Sequence, residues 1–368
     1  DDASPYMSAI ASVAGIAAIG GGGGGGGSSS SCDTSTDGCY RNTRSGIYNS
    51  EYTANTALNS HNILRLNDYG YTGEGVKVGV VDSGIDFDHQ EFSGKTILGT
   101  DFASSSSGFD DDENGHGTHV ASIIAGTRGG TGMRGMAYDA TLYSYKVDND
   151  GDNELEGLSS DSAIGNIYDQ HVTDGIKISN NSWGGSTSIT SVSETSMRSS
   201  RASAITALKS FMNNGGITVF AAGNDYRTQP DSYGAMPYRI TELKNAWLVV
   251  TAVDLNLRET NYTNRCGVAY DFCVTAIGGG YSSDDPYESA GVYAADANTS
   301  NGYVRSSGTS MAAPHVSGLA AALIERFPSL TNTQIVTRIK NTASYVDLTD
   351  TNGNSSNSLS TSQKQAIW

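Results

Sequence analysis

Three short stretches carry side chains that could do chemistry together. The stretch "VVDSGID" ends an apolar run on Asp82, "NGHGTHVA" puts His116 at the start of a helix-period segment, and "GTSMAAPHVSG" puts Ser310 ahead of small apolar residues. A hydroxyl, an imidazole and a carboxylate are the parts of an activated nucleophile. The imidazole takes the hydroxyl proton during attack, while the carboxylate holds the imidazole tautomer and stabilises its cation. Singly, each residue has a plain structural reading: an aspartate capping a turn, a surface histidine, a serine N-cap. Together they follow the order Asp, His, Ser, one of three chain orders in which this constellation recurs. Pro314 lies four positions after Ser310, which fits a helix beginning at Ser310, because first-turn N–H groups have no intrahelical acceptor to lose.

Such groups need elements that deliver them to one place. From about residue 45, short apolar runs alternate with helix-period segments, the pattern of an α/β fold with parallel strands and crossover helices. Strands are expected over 76–82, 141–147, 176–183, 217–224 and 247–253, and helices over 116–126, 160–171, 199–213 and 310–327. In the last helix Val316, Leu319, Ala320, Leu323 and Ile324 share one face. Ligands of open parallel sheets bind beyond the carboxyl ends of the strands, where Asp82 stands. The organisation expected is an N-terminal extension with a Gly/Ser-rich linker over 1–44, a catalytic domain over 45–345 and a polar tail over 346–368. The linker reading rests on the unbroken glycine run at 20–27 and the serines that follow it.

With 368 residues the chain can bury a large core. Its 22 basic and 39 acidic residues give a net charge of −17, which argues against nucleic acid or anionic lipid as partner. No segment is apolar for long enough to span a membrane; 6–20 is too short and reads as a packed segment rather than an export-signal remnant. Cys32 and Cys39, and Cys266 and Cys273, form two local pairs that each enclose six residues. That spacing suits two disulfides in an oxidising compartment, with a four-cysteine zinc site or free thiols as the alternatives.

The stretches "VVDSGID", "NGHGTHVA", "AAGN" and "GTSMAAPHVSG", in this order and at these intervals, resemble the subtilisin-like serine proteases over roughly 62–343. The resemblance implies a three-layer subtilisin-like fold, with a mainly parallel central sheet and helices on both faces. It also implies a serine endopeptidase acting on proteins or peptides: Ser310 as nucleophile, His116 as base, Asp82 as its orienter, and the Asn224 side chain with the Ser310 amide as oxyanion donors. "NSWGG", residues 181–185, resembles the segment whose backbone pairs with an extended substrate. There Ser182 and Gly184 lie along the peptide and Trp183 walls a pocket. Ala221, Ala222 and Gly223 would line the pocket for the residue before the scissile bond, and their small size implies broad specificity.

On the opposite edge the acidic stretch 148–157 carries Asp152 and Glu154. With Asp225 beside the pocket, these would favour basic residues upstream of the cut; a solvated acidic loop is the other reading. Calcium is the family's usual ligand, yet the corresponding loop, 125–135, has no carboxylate or amide side chain, and 148–154 does not match an EF-hand loop. No cofactor is required by this reading and no metal ligand is assigned; acidic residues at 86–91 and 109–115 are where a structural calcium would find carboxylates. Residues 264–280, "NRCGVAYDFCVTAIGGG", are similar to the disulfide-bearing segment of bacterial autotransporter passengers. This implies a secreted or cell-surface bacterial protein whose full-length precursor carries a β-barrel translocator. Two other readings are a protease held closed by its glycine-rich arm and a non-catalytic adhesin on a protease fold.

Overall fold

Strands that are apolar along their whole length, such as "ITVFA" and "WLVVTAV", cannot leave one face to water, so their sheet must be covered on both sides. The computed structural model describes residues 51, 63–104, 107–129, 132–148, 155–280, 290–299, 301–345 and 348–368. Among them a seven-stranded sheet has the order β2-β3-β1-β4-β5-β6-β7. These strands are β1 (Lys77–Asp82), β2 (Leu98–Asp101), β3 (Thr141–Lys146), β4 (Ile178–Asn181), β5 (Ile217–Ala221), β6 (Trp247–Val253) and β7 (Cys273–Ile277). Every neighbouring pair is parallel, with Asp82 opposite Lys146 across β1 and β3 and Val80 opposite Asn180 across β1 and β4. After β1 the chain places β2 at the sheet edge, fills in β3 between β2 and β1, then crosses to lay β4 against the other edge of β1. The carboxyl end of β1 is therefore a topological switch point.

The side-chain alternation of β6 shows the two layers. Leu248, Val250 and Ala252 enter one apolar cluster, whereas Trp247 and Val249 enter a second on the opposite face. The first layer holds α1 (Ile63–Asp68), α2 (His116–Ala125) and α6 (Thr309–Arg326); the second holds α3 (Asp161–Asp174) and α5 (Ala202–Asn213). In α5 the buried residues Ala204, Ile205, Ala207, Leu208, Phe211 and Met212 keep helical spacing and leave the other face to water. α3 starts on Ser160, whose side chain accepts from the Ala163 N–H, and stops at Gly175 in the left-handed region.

The structure corrects several expectations. The helix expected over 199–213 is two helices, α4 (Glu194–Ser200) and α5, separated by Arg201, whose backbone leaves the helical region. α6 is buried on all sides from Met311 to Leu323 rather than along one face, because it crosses the middle of the sheet and packs on α2 as well. The edge strands β2 and β7, the antiparallel hairpin β8 (Val292–Asp296) and β9 (Gly302–Ser306), and α7 (Asn332–Thr342) were not anticipated. The C-terminal segment differs from a polar tail: α8 (Thr361–Ile367) brings Ile367 and Trp368 into the first core cluster beside Leu348, and Trp368 is 1% exposed. Its surface is polar, but Leu348, Ile367 and Trp368 are buried against the domain. Expectations for residues 1–44, including Cys32 and Cys39, and for Asp152 and Glu154 lie outside the described residues. Cys266 and Cys273 are joined as a disulfide with Cα atoms 5.8 Å apart. No helix among the described residues is long and apolar enough to cross a membrane.

Candidate active site

Asp82 is the last residue of β1 and is 5% exposed. Its Oδ1 accepts from the Ser83 N–H at 2.9 Å and from His116 Nδ1 at 2.7 Å. His116 is the first residue of α2, and its side chain is one-third exposed, so one ring nitrogen is tied to the carboxylate while Nε2 is left as an acceptor. Burial draws its pKa down, but the charge and hydrogen bond of Asp82, with the charge of Asp112, outweigh that and hold it above the usual histidine value. The motif's second histidine, His119, is different: burial pushes it down to about 4, and its Nε2 lies 3.1 Å from the Val292 carbonyl.

The placement of His116 depends on how the first turn of α2 is satisfied, since four N–H groups there lack intrahelical acceptors. The Gly117 N–H donates to Ser83 Oγ at 2.9 Å and the Thr118 N–H to Asp112 Oδ2 at 2.8 Å. Asp112 also accepts from the Gly115 N–H, Ser83 Oγ and Thr118 Oγ1. Position 117 must be glycine, because a Cβ there would fall 2.1 Å from the Gly84 carbonyl oxygen. Sequence reasoning missed Ser83 and Asp112, although an acidic residue just ahead of a helix start was a readable signal.

Ser310 is the second residue of α6. Its Oγ donates to the Ser182 carbonyl at 3.0 Å, and Ser182 Oγ donates back to the Ser310 carbonyl at 2.9 Å. Pro314 explains why that carbonyl is free. It stands in the second turn of α6, not the first as expected, so the N–H it lacks is the one that would have bonded Ser310 O. The vacated acceptor is taken by the Ser182 hydroxyl.

Asn224 follows β5 and lies against the start of α6. Its Oδ1 accepts from both the N–H and the Oγ1 of Thr309, each at 2.9 Å, while Thr309 Oγ1 accepts from the Gly223 N–H at 3.1 Å. With Oδ1 fixed, Nδ2 must face the other way. A Cβ on Gly308 would stand 3.4 Å from Asn224 Nδ2 and 3.6 Å from the Ser310 N, so the two donors flank one small space. Thr309, absent from the expected set, is what sets the amide orientation.

A pocket of about 270 Å³ opens beside Ser310. Ser182, Trp183, Gly184, Ala221, Gly223 and Asn224 border it, and Asp225 stands at its rim. Trp183 packs edge-on against Phe220 and Tyr233 at centroid distances of 5.0 and 5.1 Å. Ala222 is a correction: it is fully buried in the second core cluster, because strand alternation turns it away from its neighbour Ala221. It contributes only its carbonyl, which accepts from Asn264 Nδ2 at 3.0 Å. Asn264 in turn accepts from the N–H groups of Asp225 and Arg227 and so shapes the rim. Asp148, from the acidic stretch, is buried rather than offered to a substrate.

At the loop over 125–135 the described N–H groups of Gly129 and Met133 donate to Glu51 Oε1 and Glu91 Oε1.

The sequence profile of the subtilase family matches residues 73–363. An extracellular serine protease from Serratia marcescens is 32% identical over 327 residues, covering 74% of this chain and 30% of that protein, so the chain spans about a third of that relative's length. Subtilisin DY from Bacillus licheniformis is 31% identical over 274 residues, covering 74% of this chain and 85% of its own. Among solved structures, a protease from Pseudoalteromonas arctica is 27% identical with a TM-score of 0.60, covering 77% of this chain and 87% of its own. With this profile over most of the domain and these relatives, the chain belongs to the subtilase family, the subtilisin-like serine endopeptidases.

Proposed function

We propose that the chain cleaves peptide bonds through an acyl-enzyme, with Ser310 as nucleophile, His116 as general base and acid, and Asp82 as the group that orients and stabilises the imidazole. The observation that carries this reading is the 2.7 Å contact between His116 Nδ1 and Asp82 Oδ1 at the switch point of a parallel sheet, next to the pocket that Ser310 borders. On substrate binding the Ser310 hydroxyl turns from the Ser182 carbonyl to His116 Nε2, a contact of the kind that tightens only in the complex. Oγ attacks the carbonyl carbon as its proton passes to Nε2. The negative oxygen that forms is met by Asn224 Nδ2 and the Ser310 N–H, two donors already fixed before reaction. The proton then goes to the leaving amine, and water repeats the sequence in reverse roles to release the acid. All these groups belong to the protein, so the reaction needs no cofactor.

Support for work outside the cell comes from the Cys266–Cys273 disulfide, the acidic surface and the Serratia relative, which is by name extracellular. Likeness of 264–280 to autotransporter passengers supports a translocator in the full-length precursor. Fractionating cells that carry the whole gene tests this; protein confined to the cytosol counts against it. Asp225 adds negative charge at the rim, partly matched by Arg227 at 3.7 Å, so selectivity for basic residues rests less on it than on the pocket floor.

A fluorophosphonate probe tests the catalytic reading. An adduct located on Ser310 by mass spectrometry, and lost in Ser310→Ala and His116→Ala, is the expected result. A folded protein that forms no adduct overturns it.

A further inference from the structure

We propose that Asp231 makes the pocket beside Ser310 selective for a substrate cation, a lysine or arginine side chain immediately before the scissile bond. This rests on the endopeptidase reading above. Asp231 borders the pocket and is fully buried. Its Oδ1 is held by the N–H groups of Tyr233 at 2.6 Å and Gly234 at 3.0 Å, and its own N–H donates to the Ala222 carbonyl at 3.1 Å. Oδ2, by contrast, receives no hydrogen bond of ordinary geometry; the Gly185 N–H pulls on the carboxylate without closing one.

Three of the residues next to that oxygen are glycines, with no side chain of their own to cover it. Ideal Cβ positions on Gly184, Gly223 and Gly234 lie 2.5, 3.6 and 3.6 Å from Oδ2, and all three residues are glycine. A buried carboxylate oxygen without a donor is unfavourable. A ligand that inserts an ammonium or guanidinium supplies the missing donor and the opposite charge at once, and such charge-assisted bonds are the stronger class.

The protein's own cations do not meet this need. Arg201 is stacked on the Tyr233 ring, 3.5 Å from its centroid, and its Nη2 reaches Ser232 Oγ at 3.5 Å. Arg227 at the rim is turned to Asp225 and to the Ser186 carbonyl. Burial lifts the Asp231 carboxyl to about 7, against the pull of the Gly234, Tyr233 and Gly185 N–H groups and of Arg201. Below that pH a proton occupies the site intended for the ligand; above it the bare carboxylate favours a cation.

The test compares two peptide substrates that differ only in lysine or norleucine before the cut, across pH 5.5 to 9. The ratio of their kcat/KM values cancels the ionisation of His116, which both substrates share. The expected ratio favours lysine about 10- to 100-fold at high pH and falls toward one as pH drops through about 7. Asp231→Asn should bring the ratio to about one at every pH while the norleucine peptide is still cleaved. Gly184→Ala, which puts a methyl group against Oδ2, should lower the ratio if the asparagine variant does not fold. A wild-type ratio near one at all pH values, or a lysine preference that survives in Asp231→Asn, overturns the proposal and leaves the endopeptidase reading standing. Failure to cleave either peptide together with absence of a fluorophosphonate adduct overturns both.

Discussion

Ser182 and Ser310 hold each other by two reciprocal hydrogen bonds, each hydroxyl donating to the other residue's carbonyl, at 2.9 and 3.0 Å. The pair joins the segment after β4 to the first turn of α6. It is extended inward by Asn180 Nδ2, which donates to Ser182 Oγ at 3.0 Å, and by Ser317 Oγ, which donates to Asn180 Oδ1 at 2.8 Å. Ser310 is thus held in place by a buried polar chain as well as by its helix.

Replacing Ser182 by alanine should leave the Ser310 carbonyl and the Asn180 amide without partners. The expected cost is about 1–3 kcal/mol of stability, with a loss of about tenfold in kcat/KM as Ser310 loses its seat. In a Pro314→Ala background a backbone N–H is again available to that carbonyl, so the same change should cost less. A double-mutant cycle by denaturant unfolding measures the coupling, and additive effects would refute it.

Asn224→Ala should lower kcat by about 10²–10³ with little change in KM, a magnitude already known from removal of the corresponding donor in subtilisin. Thr309→Val removes the hydroxyl that accepts from the Gly223 N–H and donates to Asn224 Oδ1, leaving the Thr309 N–H as the remaining donor to that oxygen. Its expected effect is a fall in kcat of about tenfold. In the Asn224→Ala background Thr309→Val should cost little more, because it acts through the amide it orients. Steady-state kinetics on the four proteins decides this.

The pH dependence of kcat/KM follows from the upward shift of His116. A base must be neutral to accept a proton, and a raised pKa keeps the ring protonated to higher pH, so the acid limb should lie above pH 6.5. Activity should rise with pH through that limb. Asp82→Asn removes the charge that holds the pKa up while burial still pulls it down, so the limb should move to lower pH. Turnover should drop by about 10⁴ in the same variant. A limb that stays in place would show that Asp82 does not set the ionisation.

Opening the Cys266–Cys273 bridge by changing both residues to serine should cost about 2–3 kcal/mol, the loop-closure entropy of so short a ring. Both cysteines are fully buried in the second core cluster, and the neighbouring Asn264 holds the N–H groups of Asp225 and Arg227 at the rim. The variant should therefore lose part of its selectivity as well as stability, read by denaturant midpoint and by the lysine to norleucine ratio. Unchanged selectivity would separate the bridge from the pocket.

Much of this protein is legible without coordinates. The apolar strands that seed the parallel sheet announce themselves because burial on both faces forbids polar alternation, and Asp82, His116, Asn224 and Ser310 stand out because reactive side chains end or open such elements. Hydrophobic period and local turn chemistry are properties of neighbouring residues, so a sequence displays them directly. What the tertiary structure alone decided is which atoms meet. Thr309 and Asn224, Ser182 and Ser310, and Asp231 and Gly184 are brought together across 85, 128 and 47 positions. No local pattern records such pairings, nor the burial that leaves one oxygen of Asp231 without a donor. The C-terminal segment gives the same lesson in packing: its composition is polar, and only the fold shows that Trp368 is a core residue, because burial depends on where a chain end lands rather than on its average character.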